Sequence, residues 1–100
     1  MTKHIVMWRL KDFAKGSSKA ENAKKLKLLL ESPKGKIPDI KDIEVGIRYN
    51  ELESSSDVVL YSEFLSREAL DAYQKHPEHL KVAEFVKEVS AERRVVDYTV

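Results

Sequence analysis

The chain has 100 residues, of which 42% are apolar and 35% charged, with a formal net charge of +1. A length of this kind provides one hydrophobic core, so residues 1–100 are expected to form one domain. The balanced charge argues against nucleic acid or an anionic membrane as partner, and the absence of cysteine excludes disulfides, a thiolate nucleophile and cysteine metal sites.

Residues 4–10, His-Ile-Val-Met-Trp-Arg-Leu, are β-branched and aromatic-rich and read as a strand. Gly16-Ser17-Ser18 supplies turn and cap chemistry ahead of a helix over 19–31, where Ala23, Leu26 and Leu30 recur at helical spacing and Lys24, Lys25 and Lys27 form the solvated side. Ser32-Pro33-Lys34-Gly35 ends it. A second strand is expected over 42–49, with Ile43, Val45, Ile47 and Tyr49 on one side and Glu44, Gly46 and Arg48 on the other. The polar, serine-rich stretch 50–57 reads as a mobile loop, and 58–65 as a third strand. Ser66 is placed as the N-cap of a short helix ending near Lys75, because Pro77 biases His76 away from helical geometry. Pro77 suits the first position of a new helix whose apolar stripe is Val82, Phe85, Val86 and Val89. Residues 93–100 form the last strand.

This order is β-α-β-β-α-β: an α+β, ferredoxin-like protomer with a four-stranded antiparallel sheet and two helices on one face. A sheet covered on one side should alternate apolar and polar residues. Here it does not. Val6 and Trp8 are opposed by Ile5 and Met7; Val58, Leu60 and Phe64 by Val59, Tyr61 and Leu65; Val95 by Val96 and Tyr98. Both faces are apolar, and a homodimer in which two sheets face each other is the expected solution. No apolar run exceeds four residues, far short of a membrane span, and the opening Met1-Thr2-Lys3-His4 lacks a signal-peptide pattern. A cytoplasmic location is therefore expected.

Candidate chemistry concentrates in Tyr73-Gln74-Lys75-His76-Pro77-Glu78-His79, which holds two of the three histidines; the third, His4, opens the first strand. His79 precedes Val82 and Ala83 by three and four residues and should face inward, at a helix start that disfavours imidazolium. A neutral imidazole in an apolar pocket can take a proton from a carbon acid. The competing reading is a core-edge histidine satisfied by a backbone carbonyl or by Tyr73, itself either a polariser of a substrate carbonyl or a buried core tyrosine. His76 fits a structural task at the helix junction. His4 shares a strand face with Val6 and Trp8, as either a pocket wall or a core histidine would. A metal held by His76, His79 and Glu78 or His4 is disfavoured, because His76 lies outside the register that directs His79. No phosphate loop, dinucleotide fingerprint or serine nucleophile elbow is present, so no cofactor is expected.

The segments His4–Asp12, Tyr73–His79 and Val96-Asp97-Tyr98 together resemble the stress-responsive dimeric α/β-barrel (Dabb) domain family over essentially the whole length. The resemblance implies a ferredoxin-like protomer that dimerises through its sheets. A more distant resemblance is to the plant olivetolic acid cyclase, a cofactor-free enzyme that closes a ring by aldol condensation. It implies a base at His79, assistance from Tyr73, and His4 on the cavity wall; Val6 and Trp8, on the strand face of His4, are the expected substrate-binding neighbours. Trp8 departs from the pattern, since an indole where a smaller aliphatic residue would leave space should shrink the pocket and disfavour a long polyketide. The resulting expectation is a homodimer with a small apolar pocket for a small organic molecule and cofactor-free cyclase- or isomerase-like chemistry. The alternatives are an antibiotic-biosynthesis-type or haem-degrading monooxygenase of the same superfamily, or a non-enzymatic partner-binding module.

Overall fold

A computed structural model describes all 100 residues. Strand β1 spans Thr2–Leu10, and a two-rung hairpin follows, β2 (Phe13–Ala14) and β3 (Ser17–Ser18). Lys15 and Gly16 both take positive φ at its tip, as two-residue hairpin turns require. Helix α1 (Lys19–Glu31) then leads to β4 (Ile40–Ile47) and β5 (Val58–Phe64); α2 (Arg67–Lys75) and α3 (Pro77–Val89) precede β6 (Ser90–Thr99). The main sheet is antiparallel in the order β4-β5-β1-β6, the ferredoxin-like arrangement expected. No helix is long and apolar enough to cross a membrane.

Local chemistry explains the helix ends. Ser18 caps α1 by accepting from the Glu21 amide at 3.2 Å, while Glu21 reaches back to the Ser18 amide, a capping box. Ser66 caps α2 through the Ala69 amide at 3.1 Å. His76 is extended (φ −66°, ψ 138°), and its Nδ1 accepts from the Glu78 amide at 3.1 Å. The residue before proline is thus both the break between α2 and α3 and the cap of α3.

The core lies between the helices and one face of the sheet. Val6, Trp8, Leu10, Val45, Val58, Leu60 and Phe64 meet Leu26, Leu30, Leu70, Val82 and Val89 there. The opposite face carries Ile5, Met7, Val59, Tyr61, Val96 and Tyr98, brought side by side by the strand pairing, and no element of the chain covers them. The helix layer also stops short of β6, in which every residue from Ala91 to Thr99 is exposed.

Several boundaries differ from the sequence reading. The strand expected over 42–49 begins at Ile40 and ends at Ile47, and Tyr49, grouped with Ile43 and Val45 on one side of it, is 97% exposed. The stretch 50–57, read as a mobile loop, is tied at its end. Asp57 is buried; its carboxylate accepts from the Leu10 amide at 2.7 Å and pairs with Arg48 at 3.1 Å. Arg48 in turn binds the carbonyls of Leu52 and Ser55, so the loop closes around one guanidinium. Lys27, placed on the solvated side of α1, binds Glu31 and the Val45 carbonyl, while Glu31 accepts from the Val45 amide. Two side chains thereby satisfy part of the β4 edge that strand pairing leaves open.

Candidate functional site

A cavity of about 370 Å³ lies where the helix layer ends before β6. Its floor is the inner face of β1, with His4, Val6 and Trp8; α3 supplies His79, Val82 and Val86 on one side, and β6 supplies Ser90 and Arg93 on the other. The volume sits at the small end of ligand sites, which run from about 300 to 1,000 Å³. Trp8 forms part of the wall and the cavity persists beside it.

His79 is the third residue of α3 and stands, as its spacing to Val82 and Ala83 requires, on the side turned toward the sheet. Burial holds its pKa below the usual histidine value, and His4 and the Arg93 guanidinium act in the same direction. The ring is therefore neutral near pH 7, with desolvation rather than the helix terminus as the leading cause. Its Nδ1 is buried and has no hydrogen-bond partner. The indole Nε1 of Trp8, also on the wall, is buried and unpartnered as well. Buried polar atoms almost always find partners. Both atoms lie closed off beneath the cavity wall, each a buried polar group without a partner in the protein.

Tyr73 is not on the wall. It lies behind His79, with ring centroids 4.7 Å apart at 57°, and rests on Phe64 with centroids 5.4 Å apart. Burial raises its pKa, so the hydroxyl stays protonated. The structure thus brings together His4, Val6, Trp8 and His79 around one space and sets Tyr73 against the imidazole. His76 is at the helix junction, outside this cavity.

Sequence reasoning missed Asp97 as a member of the site. It stands opposite His4 in the β1–β6 pairing, and its carboxylate engages His4 Nδ1. That contact makes Nδ1 the donor nitrogen, leaving Nε2 of His4 as the ring's other nitrogen and, in the neutral ring, its acceptor. Arg93, Lys87 and Gln74 were also missed. Asp97 had a signal, since it lies in the Val96-Asp97-Tyr98 segment, but its pairing with His4 depends on strand register. No three His, Asp or Glu side chains gather as a metal site.

The protomer thus joins a helix-covered sheet face, a bare apolar face and a histidine-walled cavity. The chain belongs to the stress-responsive A/B barrel domain family, whose model matches residues 2–100. It is similar to a dimeric protein of ferredoxin-like fold from Bacteroides fragilis, at 32% identity and TM-score 0.86, over 99% of this chain and 95% of that one. A Dabb family protein from Mesorhizobium loti shares the fold at 21% identity and TM-score 0.74, over 99% and 95% of the two chains. So does a hydroxynitrile lyase from Passiflora edulis, at 16% identity and TM-score 0.80, over 99% and 92%. No curated protein matches the sequence.

Proposed function

We propose that residues 1–100 act as one domain of a homodimer, with a small-molecule site in each protomer that performs cofactor-free acid–base chemistry on an organic substrate. The observation that carries this reading is His79: a neutral imidazole on the wall of an otherwise largely apolar cavity. Such a base takes a proton from carbon alpha to a carbonyl and returns it elsewhere, the step common to cyclisation and isomerisation. His4, oriented by Asp97, stands on the same wall as a second proton-carrying group. Val6 and Trp8 hold the apolar part of the substrate. Tyr73 acts as a positioning residue, fixing the imidazole plane from behind. A hydroxynitrile lyase on the same fold is compatible with carbon-acid chemistry, although the support for that chemistry here is the cavity.

The dimer completes the reading, because the bare face of Ile5, Met7, Val59, Tyr61, Val96 and Tyr98 is the kind of contiguous apolar patch that soluble monomers rarely leave open. The dimeric ferredoxin-like protein from Bacteroides fragilis supports it.

The test is proton exchange. In D₂O, the protein should catalyse deuterium incorporation alpha to the carbonyl of 4-phenylbutan-2-one, and His79→Gln should lower the rate by about 100-fold or more. Tyr73→Phe keeps the ring and should retain most of the activity. Equal exchange by wild type and His79→Gln, with a drop of several degrees in Tm for the variant, would make the histidine structural. A Soret shift on adding haem would favour the haem-dependent alternative.

A further inference from the structure

Four basic side chains stand on the cavity wall, His4, His79, Lys87 and Arg93, and no carboxylate does. Arg93 and Lys87 take part in none of the chain's ion pairs. Their neighbours behave differently. Arg94 and Arg9, on the other face of the sheet, share Glu92, and Glu88, next to Lys87, is held by Lys15 at 2.8 Å. Asp97, the acid nearest in sequence along the inner face of β6, is engaged by His4.

Arg93 is also the cross-strand partner of Trp8, so the two side chains rise from adjacent positions on the same face. Trp8 is 3% exposed and its indole N–H has no acceptor. Two unpaired cations, Arg93 and Lys87, thus stand on the wall of a largely apolar hollow whose lining holds no carboxylate, while the Trp8 N–H is closed off beneath that wall. A carboxylate on the ligand supplies the acceptor that the planar guanidinium lacks.

We propose that the ligand is a carboxylate with an apolar body. Its charged end is held by Arg93, with Lys87 adding positive charge. Its body lies along Val6, Leu60, Val82 and Val86. This rests on the cavity being the ligand site, and it names the class of molecule presented to His79.

The experiment compares 3-phenylpropanoate with its neutral amide, 3-phenylpropanamide, by isothermal titration calorimetry. The carboxylate should bind about tenfold or more tightly, and the preference should shrink as salt is raised. Arg93→Gln, at an exposed position where substitution leaves the core intact, should bring the carboxylate down to the amide and leave the amide unchanged; adding Lys87→Gln should remove whatever preference is left. Equal binding of the two probes to wild type, or an intact preference in the double variant, would overturn the inference. His79→Gln should keep the preference, so loss of proton exchange with retained selectivity would support both readings, whereas unchanged exchange with retained selectivity would refute the acid–base reading and leave the ligand class standing. Failure of both probes to bind would remove the cavity as a ligand site and both readings with it.

Discussion

The chemistry proposed for His79 requires a neutral ring, and that neutrality has a measurable consequence. Its folded pKa lies below the ordinary 6.5, so the unfolded chain takes up the proton first as pH falls. The stability associated with the neutral ring is fully present above about pH 6.5 and is lost as pH falls toward the lowered folded value. A titration followed by imidazole NMR should show His79 below 6.5, and His79→Gln should flatten this part of the stability–pH profile. A folded value at or above 6.5 would contradict the desolvated setting. Asp97→Asn removes the charged acceptor that orients His4 and should lower exchange by about tenfold with Tm nearly unchanged, since the carboxylate is half-exposed. The inward direction of His79 was legible from its spacing to Val82 and Ala83. The partnership of His4 with Asp97 was not, because the two are 93 residues apart and meet only through a register that local pattern does not specify.

At the scale of elements, the boundaries follow caps and anchors. Asp57 joins the end of the β4–β5 loop to the Leu10 amide and to Arg48. Asp57→Ala should destabilise by about 2–3 kcal/mol in urea unfolding, since it leaves a buried amide and a guanidinium without their acceptor. An effect under about 0.5 kcal/mol would show that the anchor is dispensable. The break at His76-Pro77 and the Ser66 cap could be read from the chain, because proline and serine act on their immediate neighbours. The fixed loop over 50–57 could not: its serine-rich composition looks the same whether or not an arginine gathers its carbonyls. The β2–β3 hairpin escaped for a similar reason, since two-residue strands carry no periodicity.

For the whole molecule, the decisive feature is a sheet that is apolar on both sides. The missing alternation of apolar and polar residues along β1, β5 and β6 makes this legible in the chain, and the strand pairing places Ile5 beside Val96 and Tyr61 on the face that the helices leave bare. What that pattern does not reveal is that the helices also stop short of β6, which opens the trough where the cavity lies. In the proposed function one sheet serves two purposes: its inner face is the floor of the ligand site, and its outer face meets a second copy. Val96→Glu should place a charge in that contact and yield a folded monomer, whereas a change at exposed Glu51 should leave assembly untouched. The most direct test is sedimentation velocity of the unmodified protein at micromolar concentration. A single species at twice the 11.5 kDa chain mass, shifted to one chain mass by Val96→Glu, is the expected result. A stable, soluble species at one chain mass for the unmodified protein would contradict it.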